Sequence, residues 1–282
     1  MGSTHQLDGR RVLITGASSG IGRSLAKRLA AEGAQLAIAA RRTELLDDVA
    51  REIARRGHPR PVVLTADLSR PGVAATLATR TLAELSGVDI LINNAGVSVT
   101  GTVSTLGDGS AARAVIETNL WSPMALGAAL SPTMVEQGHG TIVNVTSTIQ
   151  SIPLPLLAYY AASKSALAQA TTSLRGELAG TGVQVLEVIP GGTDTALRDI
   201  DELPWKGKPP ATIPPVSADR VAAAIVRAIK RAKTRLAYPS YVLLPTELPA
   251  IGRLMAGIGG RRVDLASTTR QLPEDRAGDG TD

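Results

Sequence analysis

The chain has 282 residues, of which 44% are hydrophobic and 20% charged, with a formal net charge of +5 and no cysteine. Its length suits one α/β domain around a single large sheet, and the missing thiols exclude disulfides, cysteine nucleophiles and cysteine metal sites. No run of about 18 apolar residues lacks charge, so the apolar content reads as buried core, and Lys and Arg alternate with Glu and Asp without the basic, aromatic-interleaved stripe of a nucleic-acid binder.

Residues 1–9 have no apolar central region and read as a flexible leader, not a secretory signal, and the absence of cysteine fits the expected cytoplasmic setting. From residue 10 on, short β-rich runs alternate with Ala/Leu/Arg segments of helical period. The expected strands are Arg11–Thr15, Gln35–Ala40, Val62–Thr65, Asp89–Ile92, Gly140–Val145 and Val183–Ile189, with a seventh at Arg235–Tyr238. Right-handed crossovers wind such a chain into a doubly wound parallel sheet with helices on both faces, whose ligand crevice lies at the carboxyl ends of the strands. The domain is expected to span 10–260, with a substrate flap at about 196–216, where Pro204, Pro209, Pro210, Pro214 and Pro215 forbid a continuous helix. Residues 261–282 hold little to bury and read as a disordered tail. The apolar segment Leu243–Ile258 has three readings: a cover for the substrate pocket, a subunit contact or a membrane-surface contact. Core or interface is preferred, and no membrane contact is expected.

The first strand runs into Thr15-Gly16-Ala17-Ser18-Ser19-Gly20-Ile21-Gly22 and then into a helix. Glycines there permit a tight turn and close backbone approach, and the helix N-terminus offers free N–H groups to a pyrophosphate. This is the pattern of a Rossmann dinucleotide site, with Gly16, Ser18, Ser19, Gly20, Ile21 and Gly22 as candidate contacts. After the second strand stands Ala40-Arg41-Arg42, where an NAD-selective unit would carry an acid for the ribose 2′-hydroxyl. Arg41 instead suits a 2′-phosphate, with Arg42 or Ser18 assisting, so NADP(H) is favoured over NAD(H); the other reading makes both arginines solvated starts of the next helix. Asp67-Leu68 and Asn93-Asn94-Ala95-Gly96 follow the third and fourth strands. Asp67 can accept from an adenine amino group or merely cap a helix, and the small Ala95-Gly96 pair lets backbone lie close to a ribose.

Asn144-Val145-Thr146-Ser147 ends the fifth strand, and Tyr160-Ala161-Ala162-Ser163-Lys164 begins a long helical stretch. Their i, i+4 spacing puts Tyr160 and Lys164 on one helix face, where an ammonium favours the ionised form of a phenol that ordinarily titrates near pH 10. Tyr159 has Ser163 at i+4 and lacks such a partner.

With these motifs in this order, residues 10–195 resemble the short-chain dehydrogenase/reductase family, whose marks are TGxxxGxG, NNAG, a serine, YxxxK and a Pro-Gly after the sixth strand. The resemblance implies that Tyr160 moves the proton, that Lys164 assists it and bonds the nicotinamide ribose, and that Ser147 hydrogen-bonds the substrate oxygen. It also implies that Asn119 supports a water linking Lys164 to solvent. Pro190, Gly191, Thr193 and Thr195 match the segment that meets the nicotinamide carboxamide and diphosphate, except that Thr193 stands where the family has an aliphatic residue; Asp194 reads as a helix cap. A hydride transferred to a carbonyl leaves an alkoxide, for which two hydroxyl donors are suitable chemistry. Taken alone, Ser147 reads equally well as a cap and Asn119 as a local hydrogen-bonder. The expected activity is an NADP(H)-dependent oxidoreductase acting on a small carbonyl or alcohol. The alternatives are an NAD-dependent alcohol dehydrogenase and a catalytically silent cofactor-binding regulatory protein. In this family, helical stretches such as Ser110–Gln137 and Ala158–Leu178 commonly pack between subunits, implying a homodimer or homotetramer. His5, His58 and His139 are isolated and GxSxG is absent, so no metal and no serine-hydrolase site is expected.

Overall fold

The computed structural model describes residues 6–194, 203–207 and 215–265. In chain order these form β1 (Arg11–Thr15), α1 (Gly20–Ala31), β2 (Gln35–Ala40), α2 (Thr43–Arg55), β3 (Val62–Thr65), α3 (Val73–Leu85), β4 (Ile90–Asn93), α4 (Val103–Leu106) and α5 (Ser110–Ile116). A π-turn at Glu117–Trp121 leads into α6 (Ser122–Glu136), followed by β5 (Gly140–Val145), a 3₁₀ turn at Thr148–Gln150, α7 (Ala158–Glu177), β6 (Val183–Pro190) and β7 (Thr193–Asp194). The chain continues through β8 (Val216–Ser217), α8 (Ala218–Lys230), β9 (Arg235–Tyr238), a 3₁₀ turn at Ser240–Val242, α9 (Leu243–Glu247) and α10 (Pro249–Arg261).

Seven strands make one parallel sheet in the order β3-β2-β1-β4-β5-β6-β9. The side-chain period of two divides every central strand between two cores. Val12 and Ile14 of β1, Ile90 and Ile92 of β4 and Leu186 and Val188 of β6 face α1, α2 and α8. Leu13, Leu91 and Val185 face the opposite layer of α3 and α6. Leu13 is wholly buried, and its truncation to Ala would cost about 2–5 kcal/mol. The strand order reverses between β1 and β4, opening the crevice at their carboxyl ends.

The expected strands shift in two places. β4 begins at Ile90, because the Asp89 carboxylate accepts from the Arg11 backbone N–H at 2.8 Å and from its guanidinium at 2.7 Å. β6 reaches Pro190, which pairs with Tyr238 and needs no N–H to do so. The edges of the fold also lie outside 10–260. Leu7 is 2% exposed within the core under α1, and Gly9 N–H bonds the Gly33 carbonyl at 3.0 Å. At the other end Val263 is 1% exposed and bridges to Trp205, since the apolar side chain has a pocket formed by Leu154, Leu157 and Leu203. Of the expected flap, 195–202 and 208–214 lie outside the described residues, as do 1–5 and 266–282. Among the described residues no helix is long and apolar enough to cross a membrane.

Candidate active site

The turn from β1 into α1 is shaped by what it must approach. Gly16 has φ +67°, and a Cβ there would lie 2.8 Å from the Ala95 Cα. At Gly22 a Cβ would sit 2.3 Å from the Gly16 carbonyl oxygen. The loop is therefore closed against Asn94-Ala95, and the contact is riveted by polar groups. Thr15 Oγ1 accepts from the Asn94 and Ala95 backbone N–H groups at 3.1 and 3.0 Å, and Asn94 Nδ2 donates to the Thr15 and Gly16 carbonyls. Helix α1 starts after Ser19 with no side-chain cap and no acid in its first turn. Uncapped N–H groups and a dipole end facing the crevice are the donor set that an anionic diphosphate needs, so the cradle fits a dinucleotide. Ile21 itself points into the core, leaving only its backbone for a ligand.

Beside this loop both arginines after β2 are exposed. Arg42 donates to Ser18 Oγ and Ser19 Oγ, each at 3.2 Å, so it is this arginine that reaches the glycine loop. Arg41 lies by Asp67. Burial pushes the Asp67 carboxyl up, but hydrogen bonds from Ser69 and the charges of Arg41 and Arg70 outweigh it and hold the group below the ordinary carboxylate range. Asp67 Oδ1 accepts from Ser69 Oγ at 2.7 Å and from its N–H at 3.2 Å, a local turn that presents the acid at the strand end. Leu68 is buried, its carbonyl accepting from Ser122 Oγ at 2.9 Å.

The third part lies at the ends of β5 and α7. Lys164 is 3% exposed, and its Nζ donates to the Val145 carbonyl at 2.9 Å, which pins α7 beneath the strand end that carries Ser147. The same Nζ is 6.0 Å from the centre of the Tyr160 ring. Burial lowers the Lys164 pKa from 10.5 to about 8. Ser147 Oγ accepts from the Ile149 N–H at 3.3 Å, capping the following turn, and its own O–H proton is left to donate. Tyr160 is half-buried against an apolar cluster that includes Leu154 and Leu157. Tyr159 instead hydrogen-bonds the Gly107 carbonyl.

Asn119 is fully buried in the π-turn, a one-residue bulge of the kind that recurs at functional sites. Its Oδ1 accepts from Val97 N–H at 2.9 Å, while Nδ2 donates to Val97 O at 2.8 Å and Ser163 Oγ at 3.0 Å. The carboxamide thus clamps the segment after β4 to the helix carrying Tyr160 and Lys164; its side chain is occupied by protein partners. Thr193 lies on the separate β7–β8 ribbon with Oγ1 donating to the Gly191 carbonyl, and Gly191 N–H donates to Tyr238 O. Thr195 lies outside the described residues.

Several polar groups behind the site escape sequence reasoning. Asn93 Nδ2 donates to Asn144 Oδ1 at 2.8 Å and Asn144 Nδ2 to Thr171 Oγ1 at 2.9 Å, a buried relay across β4, β5 and α7. Glu187, 3% exposed, accepts from Gln150 Nε2 at 3.0 Å and faces Arg235 Nε at 3.0 Å, although the angle there is too poor for a hydrogen bond. The only sequence signal was a polar residue interrupting an apolar strand. Among the described residues no cluster of His, Cys, Asp and Glu could hold a metal.

Residues 10–202 match the family model for short-chain dehydrogenases. Dehydrogenase/reductase SDR family member 7B of Mus musculus is 40% identical over 190 residues, covering 66% of this chain and 58% of the mouse protein, so the match spans well under two thirds of that relative. A short-chain dehydrogenase from Streptomyces avermitilis has a similar structure, with a TM-score of 0.74, 29% identity and coverage of 89% of this chain and 96% of that one. One from Sphingobium yanoikuyae, solved with NADPH, has a TM-score of 0.73 and 29% identity, covering 96% of this chain and 99% of its own.

Proposed function

Since the chain belongs to the short-chain dehydrogenase family, we propose that it is an NADP(H)-dependent oxidoreductase that interconverts a small ketone or aldehyde and its alcohol, with Tyr160 as acid/base. The observation that carries this reading is the buried Lys164 ammonium, fixed on Val145 O and 6.0 Å from the Tyr160 ring. The dinucleotide would be held by Gly16–Gly22, Asn94–Gly96, Asp67 and Leu68, by Pro190, Gly191, Thr193 and Thr195, and by Tyr160 and Lys164. The nicotinamide supplies or accepts the hydride when bound.

In the reducing direction Tyr160 Oη and Ser147 Oγ donate to the substrate oxygen, and Tyr160 gives up its proton as negative charge develops there. Lys164 offsets the resulting phenolate charge in a site shielded from water, where a nearby cation acts strongly. Asn119 sets the position of α7 through Ser163. In the oxidising direction Tyr160 is the base. NADPH preference is assigned to Arg41, with Arg42 tying the 2′-phosphate region to Ser18 and Ser19. We assign the partner surface to Trp121 and Met124, exposed where the π-turn enters α6, and a second copy of the chain as its occupant.

A panel of ketones and aldehydes assayed by NADPH consumption tests the activity, with Tyr160→Phe as the control. The variant should bind NADPH normally and lose at least about a hundredfold in kcat. Retention of most of the rate would remove Tyr160 from the mechanism, and a panel on which NADPH is never consumed, although it binds, would favour the regulatory alternative.

A further inference from the structure

Helix α10 is inside out. Three of its four glycines face the protein: a Cβ on Gly252 would lie 2.4 Å from the Ser151 carbonyl oxygen, one on Gly259 2.9 Å from Leu154, and Gly260 lies against Pro155. Its large apolar residues face away. Leu254 is 64% exposed and Ile258, one turn on, 56% exposed, with Met255 beside them. Leu244 and Leu248, on and just after α9, are also about half exposed. An ordinary surface helix does the reverse, and contiguous outward leucine and isoleucine mark a surface that something covers.

Charge identifies the occupant. Helix α10 itself carries Arg253 and Arg261 and no acid, and Arg262 and Asp264 follow it. At 100° per residue Arg261 falls beside Leu254 on the outward face and Arg253 about 100° round from it, and both are exposed. The nearest preceding acid, Glu247, is already paired with Arg235. A two-fold contact of α10 on α10 would offer these arginines no carboxylate from either helix, whereas a bilayer rich in anionic lipid accepts both the Leu254–Ile258 ridge and the arginines. At thirteen residues the helix is too short to span, so it lies in the interface plane.

We propose that the α9–α10 surface docks on an anionic membrane, with Leu254 and Ile258 entering the acyl boundary and Arg253 and Arg261 meeting the headgroups. Of the three readings of Leu243–Ile258, the proposal takes the membrane-surface contact. The inward face of α10 rests on Ser151–Pro155, the segment that follows Ser147, so the helix lies between the docked face and that segment.

The test is sedimentation of the full chain with vesicles of phosphatidylcholine and phosphatidylglycerol, or of phosphatidylcholine alone. It reads lipid binding and not turnover, so its outcome is independent of the oxidoreductase reading. The chain should pellet with the anionic vesicles, and Leu254→Ser/Ile258→Ser should remain in the supernatant with an unchanged melting temperature. Arg253→Gln/Arg261→Gln should need roughly 25-fold more anionic lipid, about fivefold for each arginine. The proposal is overturned if wild type does not pellet, if either double variant pellets as wild type does, or if neutral vesicles bind equally well. It is equally overturned if light scattering shows a dimer that Leu254→Ser/Ile258→Ser converts to monomer while vesicles leave both proteins in solution.

Discussion

Replacing Lys164 by Met in the cofactor-free protein should change the pH dependence of stability in a definite direction. The ammonium is 3% exposed and burial lowers its pKa from 10.5 to about 8. Below about pH 8 both folded and unfolded chains carry the proton, and the folded wild type bears the full desolvation cost. Between pH 8 and 10.5 the unfolded chain still binds a proton that the folded one has released, so wild-type stability rises with pH across that window. A shift of this size corresponds to at most about 3.5 kcal/mol at about 1.4 kcal/mol per unit. Methionine does not titrate, and loss of the Val145 hydrogen bond is a constant offset. The difference between wild type and variant therefore isolates Lys164. Urea unfolding of both proteins at a series of values from pH 7 to about 10.5 measures it: the wild type should gain on the variant above pH 8. A flat difference, or a wild type that loses ground, would show that the ammonium is solvated and that its placement under β5 is not what tunes it.

Gly22→Ala should abolish dinucleotide binding, read by NADPH fluorescence titration, because the added methyl collides with the Gly16 carbonyl; tight binding by the variant would relocate the cofactor. Arg41→Ala should weaken NADPH by roughly ten- to a hundredfold and NADH hardly at all, as expected for one charge-assisted bond. Arg42→Ala should give a smaller but similarly selective loss, and equal losses for both cofactors would make these arginines solvated helix-start residues. Light scattering at micromolar concentration should give a dimer or tetramer mass, and Trp121→Ser should shift it toward the monomer.

Much of this molecule was legible in its sequence for reasons tied to particular residues. Arg11–Thr15 and Gln35–Ala40 are apolar runs bounded by charge and glycine, so both faces of each strand had to be covered and their ends were sharp. Asp89 was misplaced by one residue because its strand-like neighbours hid a carboxylate bound to Arg11. The motif residues of the candidate site could be named but their contacts could not. That Arg42 and not Arg41 reaches Ser18 depends on side-chain direction, and the π-turn at Asn119 is a one-residue insertion that leaves the helical period almost undisturbed. The Leu243–Ile258 stretch reads as amphipathic in either orientation. The close approaches of Gly252 to Ser151 and of Gly259 to Leu154 fix which side is turned in.

The Asn119 clamp bears on where the entropic cost of catalysis falls. One carboxamide makes three bonds, two to Val97 and one to Ser163, and so joins the segment after β4 to α7, which carries the proposed acid/base Tyr160. Sliding α7 by even a fraction of a turn would break a bond in a buried place where water cannot replace it. The relative placement of the two segments is thus settled when the chain folds, and on the proposed function a substrate would meet groups that need no further ordering. Loosening that joint should leave affinity for the ground state nearly intact and lower the rate, because what is lost is alignment and not contact.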